Sequence, residues 1–314
     1  MILMDRHIEL KNQLKLNDMK QLLLSILGCC SLLAGAQQVT VVKQERLLQG
    51  VEGPAYYPVL DRTGARLLFA SGVEYGLKLY DMNTGAVTPV SNERCAGIDA
   101  TFGNDGNVYY VGQKINENNL IYRTGYKFDV NKASTDIVLE AQHGAVSRAV
   151  GTRGVVMRGP RKNYASARNI GTAVDVQGSN LLITVNGKQH SYSPVESYAG
   201  YLWPSLSPDG TKVLFFAAGA GAFVTDLNGK VLASLGNYEM PCWYNNDYVV
   251  AQNATDDGHQ FTSSQIMLLK ADGTFRHELT KSTSMSMQPT SAAGKIVYTT
   301  VDGLLYVMEI SIND

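Results

Sequence analysis

The 314 residues carry 27 Lys+Arg against 28 Asp+Glu, and 45% are hydrophobic and 18% charged. This is ordinary globular composition with material for a large core, which excludes disorder as a description of the chain. A formal charge of −1 lacks the basic surplus of a general nucleic-acid binder, no nucleic-acid-reading motif occurs, and no nucleic-acid partner is expected.

Residues 1–18 bear mixed charges (Asp5, Arg6, Glu9, Lys11, Lys15 and Asp18) that do not suit the front of an export signal. From Met19 the order changes to basic Lys20, an apolar stretch over 22–33, then small Ala34 and Ala36. That succession predicts a secretory signal peptide starting at Met19, with cleavage after Ala36 and export to the periplasm or cell envelope. The stretch falls short of the ~20 residues of a membrane span. Ile26-Leu27-Gly28 ahead of Cys29 also offers a lipoprotein route, with a lipid anchor on Cys29. The domain reading is therefore 1–36 as N-terminal extension and signal, and 37–314 as the mature domain. Of the four cysteines only Cys95 and Cys242 remain there. Export would permit a bridge between them, but they fall before the second and inside the fifth of the repeats described next. Their Cα atoms should exceed the ~7 Å that a disulfide spans, so two free thiols are expected.

Six times between Tyr56 and Thr300 the chain returns to one pattern, seen in YYPVLDRTGARLLFAS (56–71) and most fully in LWPSLSPDGTKVLFFA (202–217). A short apolar segment, a Pro/Asp/Gly turn and a second apolar segment predict a β-hairpin, because glycine accepts the positive φ of the turn. The counterparts lie at 100–112, 146–159, 240–252 and 287–300. The third lacks the proline and the fifth the glycine. A second half follows each of the first five hairpins, at 76–91, 125–139, 171–185, 222–236 and 266–280, again alternating, turning and alternating. Four strands per repeat, recurring at roughly 40–50 residues, predict a six-bladed β-propeller of four-stranded antiparallel blades. The sixth repeat stops at 304–310 with no fourth strand. VTVVKQERLL (39–48) stands where that strand would stand relative to the first hairpin, and is expected to complete the last blade and close the ring, protecting strand edges.

SPDGTKVLFF and LLKADGTFRHELT resemble the repeats of the TolB-like, WD40-like β-propeller family, which also occur in the propellers of prolyl-oligopeptidase-like enzymes. The resemblance covers roughly 39–312. It implies a propeller and, by analogy with the family, a periplasmic protein-binding role. The family's additional N-terminal α/β domain is not expected ahead of the first blade, nor the hydrolase domain that its peptidases carry.

The residues that could carry function are few. No Gly-x-Ser-x-Gly elbow or His-Glu-x-x-His motif occurs. His143, His190, His259 and His277 are dispersed, so no metal and no cofactor are expected. Asp256-Asp257-Gly258 lacks the alternating oxygens of a calcium loop and reads as a blade-five turn. In the third repeat Arg148, Arg153, Arg158, Arg161, Lys162 and Arg168 occur with no acid from His143 to Val174. Of these, Arg158, Arg161, Lys162 and Arg168 belong to a loop suited to gripping an anionic partner, against the alternative of a solvated basic face. Aligning the repeats on their prolines places Tyr57, Asp99, Ser147, Trp203, Met240 and Gln288 at one level of the channel. Tyr57, Asp99, Trp203 and Gln288, together with Arg148, are candidate ligand contacts at the channel mouth. Rings, an acid and an amide suit a sugar or peptide; the aromatics could equally fill space between blades. The expected function is an exported, non-catalytic, monomeric propeller that binds a protein or glycan of the cell envelope. The alternative is a carbohydrate-active enzyme, a polysaccharide lyase or glycoside hydrolase, working at the channel mouth.

Overall fold

The computed structural model describes residues 37–159, 170–196 and 200–313. These are strands and turns almost throughout, with one 3₁₀ turn at Ser282–Ser284. The chain opens with β1 (Gln38–Arg46) and then enters blade one: β2 (Tyr56–Leu60), β3 (Arg66–Ala70), β4 (Leu77–Asp81) and β5 (Val87–Ser91). Blade two is β6 (Thr101–Phe102), β7 (Val108–Ile115), β8 (Ile121–Asp129) and β9 (Ser134–His143). Blade three holds β10 (Ser147–Gly151), β11 (Val155–Arg158), β12 (Ala173–Gln177), β13 (Asn180–Val185) and β14 (Lys188–Tyr192). Blade four is β15 (Tyr201–Leu206), β16 (Lys212–Ala217), β17 (Gly221–Asp226) and β18 (Val231–Gly236). Blade five is β19 (Glu239–Trp243), β20 (Tyr248–Asp256), β21 (Phe261–Lys270) and β22 (Arg276–Glu278). The last is β23 (Ser286–Ala292), β24 (Lys295–Thr300) and β25 (Leu305–Asn313). The molecule is a six-bladed antiparallel propeller. Two units divide it: residues 41–310, and one made of the chain ends, up to Thr40 and from Ser311.

Each inner hairpin closes as its turn residues dictate. In blade one Gly64 N donates to Asp61 O, and in blade four Gly210 N donates to Ser207 O; both glycines have positive φ. The fifth hairpin, which lacks the glycine, substitutes a side chain: Asn245 Oδ1 accepts from Asp247 N and Tyr248 N, each at 2.8 Å. Beyond the turns the second strands are nearly continuous apolar runs, because both of their faces pack on neighbouring blades. Val213, Leu214, Phe215 and Ala217 of β16 are all fully buried. Leu214 and Phe216 join a cluster with Trp243, Val249 and Ala251 of blade five. Val213 and Phe215 join one with Val174, Leu181 and Ile183 of blade three.

The sixth sheet runs β1-β25-β24-β23, so the N-terminal strand and the last three strands share a sheet. Within it Gln44 Nε2 donates to the Tyr298 hydroxyl at 2.5 Å, and Leu47 N donates to Leu305 O at 2.9 Å.

Blade three keeps the four-stranded ladder and adds one strand to it. Its sheet has five, in the order β11-β10-β12-β13-β14. The predicted β10–β11 hairpin forms, pairing Ser147↔Arg158 through Val150↔Val155. Its other edge is taken by β12, through Val150↔Val174 and Gly151↔Ala173. Segment 171–185 therefore supplies the second and third strands of the regular ladder, and Lys188–Tyr192 the fourth. β11 is an added strand that packs against blade two: a Cβ at Gly125 would come within 2.5 Å of Met157 Sδ and 2.9 Å of Leu139 Cβ, so only glycine fits there. Apolar alternation marks a strand but does not say which edge it takes.

Blades two and five carry the long hairpins. The β7–β8 ladder reaches Ile115↔Ile121 and the β20–β21 ladder Asp256↔Phe261, whereas blade one stops at Ala70↔Leu77. Inner strands run away from the channel mouth and second strands return to it, so both extensions rise at the mouth end. In a six-fold ring these two blades face each other.

A candidate ligand site in the central channel

Five of the six aligned residues share a backbone anomaly. Tyr57, Asp99, Trp203, Met240 and Gln288 have φ of 51°, 59°, 50°, 48° and 53°, a left-handed conformation that costs an L-residue ~1–2 kcal/mol. In four blades a proline follows, and the ladder skips there, between Tyr56 and Val59, Leu202 and Ser205, Glu239 and Cys242, and Met287 and Thr290. These are β-bulges: one extra residue lets the proline, which has no N–H, pass without breaking the rest of the ladder. The strain recurs at one level around the ring, and all five residues line a cavity of about 240 Å³ at the channel mouth, to which every blade contributes.

Amide latches tie neighbouring bulges together. Gln252 Oε1 accepts from Gln288 N at 2.9 Å, and Gln288 Oε1 accepts from Tyr57 N at 2.7 Å. Gln252 is buried; the repeat pattern held no signal for it. Trp203 leans on Phe216, ring centroids 5.6 Å apart, and so also contributes to the core between blades four and five.

Blade three is the exception. Ser147, at the aligned position, has no left-handed backbone and pairs regularly with Arg158; its Oγ donates to Asp175 Oδ2 at 3.1 Å, away from the channel lining. Side chains alternate along a strand, so a bulge shifts which ones face inward. Without proline and bulge, it is the residue after Ser147 that faces the axis. Arg148 thus lines both the mouth cavity and a second cavity of about 650 Å³ towards the hairpin-turn end. The two share Thr101, Arg148, Pro204, Ser205 and Cys242, which mark their meeting level.

Electrostatics differ along this wall. Burial pulls the Arg148 guanidinium below its ordinary pKa, against the opposing influence of Asp99 and Asp175. Arg148 Nε and Ser205 Oγ are both shut off from solvent without a hydrogen-bond partner. Burial pushes the Cys242 thiol up to about 12. Glu239, at the start of β19, is raised by burial and then by the charge of Asp256. Cys95 and Cys242 are free. Among the described residues no group of three His, Cys, Asp or Glu side chains gathers in metal-binding geometry. In blade five's turn Asp257 Oδ1 accepts from His259 N and Gln260 N, and Asp256 Oδ1 from Gly258 N, each at 2.9 Å; the carboxylates cap their own loop.

Of the basic-loop residues, Arg158 is 5% exposed and pairs through Nη1 with Asp175 Oδ2 at 3.1 Å. Its place on β11 buries it between blades, where it is not presented to a partner. Arg161, Lys162 and Arg168 lie outside the described residues, as do Cys29 and the signal segment. A further open cleft between blades one and two, about 950 Å³, is lined by Tyr75, Tyr110 and Tyr126. Its charges are matched in pairs, Arg94–Glu74 at 2.8 Å and Lys114–Glu93 at 3.4 Å.

The fold and this channel define a β-propeller with an axial cavity. No protein-family model matches the chain, and no curated protein matches it in sequence. Among solved structures it is similar to the Cps50 (Swd1) β-propeller domain of Myceliophteria thermophila, with a TM-score of 0.55 and 9% identity over 87% of this chain and 100% of that one. It is also similar to oligogalacturonate lyase from Vibrio parahaemolyticus, with a TM-score of 0.50 and 11% identity over 88% and 98%. Likeness to TolB from Acinetobacter baumannii has a TM-score of 0.48 and 16% identity over 71% of this chain and 53% of that one, so the chain spans about half of TolB's length. At such identities the first two similarities establish the propeller fold alone. Among the described residues no helix is long and apolar enough to cross a membrane.

Proposed function

We propose that the protein is an exported, non-catalytic propeller that binds a protein or glycan partner of the cell envelope at its channel mouth. The observation that carries this reading is the ring of five left-handed residues converging on one cavity. Backbone strain repeated at one level is retained where the surroundings over-determine it, and it collects at ligand sites. The long hairpins of blades two and five support it as opposed walls above the mouth. The lining supports it too: one carboxylate, Asp99, and one cation, Arg148, sit among prolines, Trp203, Tyr57 and Met240, a mostly apolar surface with few polar groups to set orientation. Export rests on the segment from Met19, and an anchor at Cys29 remains its variant. Affinity capture from envelope extract, run beside a glycan array, compares wild type with Trp203→Ala. A partner or glycan held by the wild type and lost by the variant is expected; identical recovery overturns the mouth as the binding site.

Glu239, the residue before mouth-lining Met240, favours a second reading, a carbohydrate-active enzyme at the channel mouth. A carboxyl raised by burial is suited to donate a proton. Polysaccharide cleavage by the wild type that Glu239→Gln abolishes would put this reading first.

A further inference from the structure

We propose that the channel seats the carboxyl terminus of a peptide, its carboxylate held at mid-channel by Arg148 and Ser205. This rests on the mouth being the binding site and names what binds there.

A buried guanidinium is ordinarily paired, because removing it from water costs more than packing returns. Arg158, one hairpin away, follows that rule with Asp175. Arg148, half-buried in the channel wall with its Nε shut off from solvent, does not: Asp99 and Asp175 act on it through space, yet neither comes within ion-pair distance. The second orphan in the channel wall, Ser205 Oγ, belongs to a residue that borders the same two cavities. Arg148 and Ser205 border the same two cavities at one level, and neither the Nε of that planar fork nor the hydroxyl is engaged by another protein group. A carboxylate fits both, accepting the fork in parallel and the hydroxyl besides.

The surroundings restrict what brings that carboxylate. Two acids already lie within electrostatic reach of Arg148, so a dianionic phosphate would add a surplus of negative charge, whereas a carboxylate adds one. A mouth of about 240 Å³ lies below the ~300–1,000 Å³ of ordinary ligand pockets and admits the tip of an extended chain. A hydroxyl-rich sugar would need many polar partners; here the amide oxygen of Gln288 is engaged by Tyr57 N, and four prolines with Trp203 and Met240 make up much of the rest. Peptide side chains suit that wall. Asp99 is exposed at the rim, where a basic residue upstream of the terminus would find it.

The test passes a pool of random hexapeptides with free carboxyl termini over the immobilised full chain, against the same pool amidated, with retained peptides identified by mass spectrometry. Free acids are expected to be retained, and retention to fall at least about tenfold on amidation, the worth of one charge-assisted hydrogen bond. Arg148→Gln should match the amidation loss and Arg148→Lys fall between. The amide arm uses the wild type, so it stands even if a variant fails to fold. Equal retention of acids and amides, no retention in either arm, or retention of an acidic uronate oligosaccharide in place of peptides would each overturn the proposal. If Trp203→Ala abolishes partner capture while amidation and Arg148→Gln change nothing, the mouth site stands and only the carboxylate seat falls.

Discussion

Blades four and three are built from the same repeat and show what its regularity does. Blade four keeps the proline, the bulge and the Asp-Gly turn, and its second strand buries Val213, Leu214, Phe215 and Ala217 between two neighbours. Blade three has lost the proline and gained a fifth strand, and its own cluster among the described residues is Ala149, Ile170 and Ala173 with Val156 against them. Beside the packing of Val174, Leu181 and Ile183 on blade four, it carries a buried ion pair, Arg158–Asp175. The regular blade supplies stability through surface removed from water. The irregular one spends some of that packing on polar groups, and turns an arginine into the channel.

If that contrast holds, the largest effect is expected in blade four. Phe215 is fully buried, edge-on to Tyr201 and stacked on Phe223, so Phe215→Ala should lower the unfolding free energy by about 3–5 kcal/mol. Val156→Ala in blade three should cost about 1 kcal/mol. Urea denaturation of both measures the gap, and equal costs would erase the distinction. Next comes the ion pair. Arg158→Met strands Asp175, whose pKa burial already raises, and should cost about 3 kcal/mol. The double change Arg158→Met/Asp175→Leu should recover most of it, because the pair's attraction roughly offsets its desolvation. A double-mutant cycle checks the recovery; additive losses would show that the pair is a net stabiliser.

The smallest expected effect is a pH dependence in blade two. Burial alone would raise Asp105, but hydrogen bonds from Asn107, Lys127 and Tyr109 outweigh it and hold the carboxyl at about 2. The folded pKa lies below the unfolded one, so its contribution is complete above about pH 4 and is lost as pH falls towards 2. Melting temperature followed from pH 5 to 2 should drop less steeply in Asp105→Asn than in wild type. Parallel curves would remove Asp105 from the acid response and leave it to the other carboxyls held low, Asp81, Asp129, Asp209, Asp257 and Asp272; buried Asp175, whose pKa is raised, acts in the opposite sense.

Much of this was legible in the chain. Six hairpins, their turns and the level of Tyr57, Asp99, Trp203 and Gln288 follow from spacing, since a proline after a bulge and a glycine in a turn are local demands. Arg148 could be placed near the mouth by alignment, but its reach to mid-channel depends on a missing bulge, which alignment on prolines assumes away. The burial of Arg158 is not legible for a related reason: a charge run looks like surface until a strand pairing buries it. Gln252, Ser205 and Cys242 carry no local signal, because their importance lies in which blade stands opposite.

By itself the sequence determined a propeller of six repeats with a signal-like N-terminal segment ahead of it, because turn chemistry and strand alternation act over a few residues. Only the tertiary structure decided that the third blade takes a fifth strand, that one arginine is paired while its neighbour on the adjoining strand is not, and that strain from five blades gathers at one mouth. Those depend on edges and registers, which are properties of pairs of strands and belong to no segment alone.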